Sequence, residues 1–473
     1  PVVEGGRVTA LLTIGLVLAA YSAVSGVLDR RGVTSAMTFV AVGLVVGAGG
    51  LGWLDVPVES AGAEHVAELA LAYLLFTDSA RIDLRSLRRS LAWPGRLLLV
   101  GLPLTMVLGL GAALLLFPAM PLASAFVLAT MLCSTDAALG QRVVEDPAVP
   151  ARVRQALDAE SGLNDGLAVP FFLVAVDLAT ANLHGGFGGA VLREGAAQIG
   201  WGVAAGVGVG AVGGTVLRAA EERGWMLPQW RQLLVLAVAT ASYAAAVALG
   251  GSGFIAAFVA GMAYGATSQQ RGQRAMYLAE EVGNILAAVT WLGFGALAVS
   301  RVWSDITWQV VVYALLSLTL VRMVPVALAL AGTGARRPTV AFMGWFGPRG
   351  LASVVFGLLA LEAGVPDLDP LLTTVVVTVA LSVLLHGLSA TPLVAVYRRW
   401  YDAHRRSPAE TTEVAEAVPT PLTRTRRSAD PAQHAIDAVL DHQPALHRFK
   451  VDVARPLLER IVQGGVDQLH HGA

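Results

Sequence analysis

Charge is scarce in this chain. Of 473 residues, 14% are Asp, Glu, Lys or Arg and 55% are hydrophobic, whereas soluble domains carry about 25% charged residues. That excludes an ordinary soluble domain and indicates a polytopic membrane protein. Cysteine is scarcer still: Cys133 stands alone, so no internal disulfide can form. Lys450 is the single lysine, which leaves arginine as nearly every cation. The net charge of -1 carries no surplus that would draw a nucleic acid. A Walker loop, a nicotinamide fingerprint, a His-Glu-x-x-His pair and a cysteine cluster are all missing, so no resident cofactor is expected.

What the chain has in abundance is apolar runs of spanning length. Bounded by charge or Gly/Pro, they predict an all-α protein of about thirteen transmembrane helices. These start near Val8, Val33, Val66, Leu97, Leu122, Gln155, Ala196, Leu233, Gly253, Leu278, Ile306, Thr339 and Leu371. The first run, Val8 to Leu28, is long for a signal-peptide core and is preceded by one basic residue, Arg7, so it reads as a mature helix. Arginines crowd alternate loops, among them Arg30-Arg31, Arg81 to Arg89, Arg142 to Arg154, Arg218 with Arg223, Arg271 with Arg274, Arg336-Arg337 and Arg398-Arg399. This alternation predicts an N-terminus outside and a C-terminus in the cytoplasm, and it favours an odd helix count. Three regions follow: a membrane domain at 1–400, a linker rich in Pro, Thr, Glu and Arg at 401–430, and a partly helical amphipathic tail at 431–473. The tail is small for an independent core and reads as a regulatory or dimer-contact appendage whose partner the sequence does not name.

Against this apolar background the polar residues stand out. The sixth segment contains Glu160-Ser161-Gly162-Leu163-Asn164-Asp165 and continues into Phe171-Phe172-Leu173-Val174. A carboxylate at that depth is costly unless paired, hydrated or functional. On a helix Ser161 and Asp165 stand one turn apart, as do Glu160 and Asn164. Ser161 and Asp165 can therefore hold a small cation from one face, while Glu160 points elsewhere and needs a positive partner. The competing reading is a polar helix end at the lipid headgroups. The fifth segment carries Ser134-Thr135-Asp136, residues that compete for backbone hydrogen bonds and interrupt a helix. An unwound stretch frees carbonyls for a cation, and Asp136 brings a second carboxylate. The twelfth segment carries Gly347-Pro348-Arg349-Gly350, a second predicted break, with Arg349 requiring an anion. If helices one to six and eight to thirteen are inverted repeats, the two breaks correspond, and such pairs mark a transporter's central site. The sequence leaves the roles of Asp78, Glu280, Glu281, Asn284 and Arg322 open, and His386 reads as a packing residue.

Thr135-Asp136, Glu160-Ser161-x-x-Asn164-Asp165-Gly166 and Gly347-x-Arg349-Gly350 together resemble the monovalent cation/proton antiporters, in the sodium/proton exchanger branch. The resemblance runs from about Val8 to Trp400, with matching segment spacing. It implies thirteen helices, two crossed broken helices, a core domain, a dimer domain, a homodimer and a plasma-membrane location. It implies that Asp165 binds the ion and the proton, that Asp136, Ser161 and Thr135 complete the sodium site, and that Glu160 pairs with Arg349. It implies further that Asn164 marks the electroneutral type. Two departures are visible: Pro348 replaces a usual bulkier residue, and Ala137 follows Asp136 where proline is frequent.

The expected function is alternating-access antiport. Asp165 holds a monovalent cation when ionised and releases it when protonated, with sodium, potassium and lithium all suited to oxygen ligands. An intramembrane aspartyl protease built on Asp136 and Asp165 lacks the Tyr-Asp and Gly-Leu-Gly-Asp contexts. A cation channel lacks repeated filter loops.

Overall fold

In the computed structural model the described residues are 2–54, 61–81, 92–181, 189–268, 272 and 275–404. All belong to the unit Pro1–Glu416. Of the expected linker and tail, everything beyond His404 lies outside them, as do Arg85, Arg88, Arg89, Arg271 and Arg274.

The described chain is helical, with no strand longer than one isolated bridge, Gly47 to Leu54. In order the helices are α1 (Val2–Arg30), α2 (Ser35–Val46), α3 (Ala61–Ala80), α4 (Ala92–Leu116), α5 (Leu122–Met131), α6 (Ala137–Glu145), α7 (Ala151–Ala181) and α8 (Gly189–Glu222). They continue as α9 (Pro228–Ala248), α10 (Gly253–Ser268), α11 (Tyr277–Val299), α12 (Trp308–Ala329), α13 (Arg337–Trp345), α14 (Leu351–Glu362) and α15 (Leu368–His404). Eight are long and apolar enough to cross a membrane. The expected fifth segment is α5 plus α6, and the twelfth is α13 plus α14, so both predicted breaks are present.

The core is apolar, but so is much of the outer surface, and a few charged and polar side chains are buried. Leu11, Leu99 and Leu115 are 71%, 78% and 81% exposed, while Glu160, Asn164, Arg322 and Arg349 are buried. Apolar side chains facing outward and polar ones facing inward suit a lipid surround, where lone polar groups are costly.

Without a hydrophobic drive between helices, small residues set close packing. On α8, Gly202, Gly206, Gly210 and Gly214 recur every fourth residue. A methyl on any of the four would run into backbone, at Ser252 just before α10 or at Ala256, Ala260 or Tyr264 within it. The α8 and α10 backbones thus touch along four turns. Gly261 and Gly265 of α10 then lie against the Phe76 and Ala80 carbonyls of α3 in the same way. This packed group holds α3 beside α7, the helix that carries the polar cluster.

Candidate functional site

The first break exposes backbone, and several of the exposed groups are met by side chains or by the second break. Between α5 and α6, Thr135 N–H donates to Asn164 Oδ1 at 3.2 Å, and Asn164 Nδ2 donates to Thr135 Oγ1 at 2.5 Å. The Thr135 hydroxyl also lies 3.2 Å from Ser161 Oγ. Asn164 therefore reads both the donor and the acceptor of one residue, and it fixes the break against α7. The predicted helical spacing explains why: Ser161 and Asn164 are three residues apart and face the same neighbour.

Asp136 stands where two helices begin. Its Oδ1 accepts from Leu139 N–H at 3.2 Å in α6, and its Oδ2 accepts from Leu351 N–H at 2.9 Å in α14. Its own N–H donates to the Pro348 carbonyl at 2.8 Å. A carboxylate between two helix N-termini faces the positive ends of both dipoles. The two breaks thus meet at this residue. Gly350 is required there, because a Cβ at that position would collide with the Asp136 carboxylate.

Arg349, fully buried, does the opposite task. Its Nη1 donates to the Cys133 and Ser134 carbonyls at 2.9 Å each, and Nη2 donates to the Ser317 carbonyl at 3.3 Å. These carbonyls lie just beyond α5 and at the end of the first half of α12, and cations are favoured at helix C-termini. The expected Glu160–Arg349 ion pair does not form. Glu160 instead receives Arg322 bidentately, Nη1 to Oε1 at 2.5 Å and Nη2 to Oε2 at 2.8 Å, with both side chains buried. The reason is local. The chain turns at Thr319 (φ −115°, ψ −94°), between Leu318 and Leu320, and this starts the second half of α12 afresh. Gly347 leaves room for the guanidinium, since a Cβ there would overlap Arg322 Nε. Arg349 meanwhile is met by three carbonyls through Nη1 and Nη2, and its Nε has no hydrogen-bond partner among the described residues.

Asp165 sits one turn beyond Ser161, half-buried. Its Oδ1 is buried and makes no hydrogen bond. Ser134 is within hydrogen-bonding reach of the carboxylate, and Asp136 and Asp78 are close enough to act on it electrostatically. The structure thus brings Thr135, Asp136, Ser161, Asn164 and Asp165 to one place, the crossing of two interrupted helices against α7. The donor set is oxygen only: hydroxyls, carbonyls and carboxylates. Such ligands fit hard monovalent cations, and an unsatisfied buried carboxylate oxygen is what a cation or a proton would satisfy.

Asp78 is the neighbour that sequence reading left undecided. It lies on α3 over the α7 face, close enough that a methyl on Gly162 would meet its Cβ at 3.6 Å. Three residues on, Arg81 ion-pairs with Glu280 of α11. The signal in the sequence was an acid inside an apolar run, but Arg81 so close by hid it. His386 is buried, its Nε2 2.9 Å from the Trp345 carbonyl and its Nδ1 beside the Ser382 hydroxyl at 3.2 Å and the Ser382 carbonyl at 3.0 Å.

Two interrupted helices, crossing around buried carboxylates in a membrane bundle, define a secondary transporter. The sequence model described as sodium/hydrogen exchanger, transmembrane, matches residues 14–396, and the chain belongs to that family. It is an integral membrane monovalent cation/proton antiporter and not an enzyme. It is 27% identical over 399 residues to a K(+)/H(+) antiporter NhaP2 of Shewanella sp. strain ANA-3, covering 82% of this chain and 67% of that one. It is 25% identical over 366 residues to the Na(+)/H(+) antiporter ApNhaP of Aphanothece halophytica, covering 74% and 66%. Among solved structures, the sodium proton antiporter MjNhaP1 from Methanocaldococcus jannaschii at pH 8 superposes with a TM-score of 0.65. Identity there is 18%, over 83% of this chain and 99% of the other, and the likeness is one of fold.

Proposed function

We propose that the chain exchanges one sodium ion for one proton by competition at Asp165. The observation that carries this reading is the buried Asp165 Oδ1 without a hydrogen-bonding partner, beside Ser161 and the broken α5–α6 strand of backbone. When ionised, this carboxylate can share a dehydrated cation with Ser161, Thr135 and Asp136. When protonated, it has no charge to offer. Asp136 has both oxygens engaged as a cap of two helices, so the exchangeable proton is assigned to Asp165 alone. Asn164 has no titratable group, and its amide is occupied by Thr135. One titrating carboxylate then carries the same net charge with either ion, which makes exchange electroneutral.

The reading includes a homodimer in the plasma membrane, an N-terminus outside and a C-terminus in the cytoplasm, and inverted repeats whose core moves against a dimer domain. The relatives divide between potassium and sodium in their names, and oxygen ligands suit either ion; the sodium reading follows the sodium/hydrogen exchanger description of the family and the Na(+)/H(+) relative. The test is flux in proteoliposomes under an imposed pH gradient, with sodium, potassium and lithium compared and the membrane potential clamped. Sodium-driven proton movement with a null point independent of voltage is expected. A null point that shifts with voltage would mean that net charge moves, because a potential acts at about 2.3 kcal/mol per elementary charge per 100 mV.

A further inference from the structure

Away from the ion site, a groove of about 480 Å³ lies between the second half of α12 and the start of α13. Met323, Ala327, Leu330, Val340 and Ala341 line it, and Arg337 stands among them. Val324, also in the lining, is 38% exposed on a helix long and apolar enough to span a membrane. No acid lines it. Arg337 is exposed and makes no ion pair or hydrogen bond among the described residues. Two more guanidiniums flank the rim: Arg96 Nη1 donates to the Ala331 carbonyl at 2.7 Å, and Arg336 Nη1 donates to the His404 carbonyl at 3.1 Å.

An apolar trough opening on the hydrophobic surface of a span, with an unpaired cation at its mouth, has the chemistry of a phospholipid. The trough accepts an acyl chain and the guanidinium accepts a phosphate. We propose that this groove seats an anionic glycerophospholipid, with one acyl chain between α12 and α13 and its phosphate on Arg337. The lipid would brace the half-helix that begins at Leu320 and presents Arg322 to Glu160, because the lining starts at Met323, the next residue. The rest of the charge at the rim, Arg96 and Arg336, selects an anionic headgroup over a zwitterionic one.

The test uses the full chain, delipidated in neutral detergent, with phosphatidylglycerol, phosphatidylcholine or inorganic phosphate added. Ligand bound only to the folded state raises the unfolding temperature. Phosphatidylglycerol should raise it at least about 2 °C more than phosphatidylcholine does, and inorganic phosphate should leave it unchanged. Arg337→Gln should bring the phosphatidylglycerol shift down to that of phosphatidylcholine. Ala341→Leu, which fills the trough, should reduce the number of lipids retained in native mass spectrometry by one. Equal shifts with both lipids, an undiminished shift in Arg337→Gln, or a shift with phosphate alone would overturn the proposal. So would lipid retention by Ala341→Leu equal to that of the parent chain. Both residues are at the surface, and an unchanged helical circular dichroism spectrum checks that the variants fold.

Discussion

The two breaks solve the same problem with opposite charges. At the first, Asp136 supplies negative charge where α6 and α14 begin. At the second, Arg349 supplies positive charge where α5 and the first half of α12 end. Each break therefore lends a side chain to a helix end of the other: Asp136 to the start of α14, and Arg349 to the carbonyls after α5. An interrupted helix leaves up to four groups unpaired at each new end, and in lipid no water meets them. Crossing the two breaks removes most of that cost within the protein and keeps the α7 carboxylate Asp165 outside the arrangement. The comparison teaches that Asp136 and Arg349 hold the crossing, whereas Asp165 keeps a buried oxygen without a hydrogen-bonding partner, the feature on which the proposed exchange rests.

The largest loss should follow from emptying the positive side. Arg349→Ala leaves three carbonyls without this donor, which at about 1–3 kcal/mol each predicts roughly 3–9 kcal/mol of lost stability. Thermal unfolding in detergent measures it. If Arg349→Ala unfolds at the parent temperature, the carbonyl contacts are not what holds the crossing.

Somewhat less should be lost at the neighbouring ion pair, where Glu160→Ala or Arg322→Ala each uncovers a buried charge at a cost of about 3–5 kcal/mol. Here the informative quantity is the coupling. The Glu160 and Arg322 substitutions together should cost less than their sum by about 1–3 kcal/mol. The Glu160 and Arg349 substitutions should add. Coupling to Arg349 in place of Arg322 would reinstate the pairing expected from sequence.

A smaller effect is expected where space is the only issue. Gly350→Ala places a methyl on the Asp136 carboxylate, and overpacking of this kind costs about 1–3 kcal/mol. Because the strain falls on Asp136, the apparent affinity for sodium should weaken more than the fold does. Comparison of the sodium dependence of flux with the unfolding temperature separates the two. Unchanged sodium dependence would detach Asp136 from the ion site.

Much of this was legible before any coordinates. Ser134-Thr135-Asp136 and Gly347-Pro348-Arg349-Gly350 announce their breaks because polar and proline residues cannot continue a helix in an apolar run. The shared face of Ser161 and Asp165 follows from helical periodicity alone. The partner of Glu160 was not legible, because two arginines, Arg322 and Arg349, were both buried and spacing cannot say which one approaches. The turn at Thr319, which decides it, has no strong local signal. Asp78 was obscured by Arg81, which made a helix end at the surface equally reasonable. The glycine stripe on α8 was visible as letters, but which helix it meets is a tertiary fact.

The central claim is that one carboxylate, Asp165, holds either the cation or the proton. Proton release on sodium binding tests it most directly. The purified chain, in detergent and weak buffer near neutral pH, is titrated with sodium chloride against a choline chloride control, and the pH is followed. Sodium should release one proton for each ion bound by the parent chain, and none from Asp165→Asn, whose folded state is confirmed by an unchanged elution volume. Sodium-dependent proton release by Asp165→Asn equal to that of the parent would contradict the account.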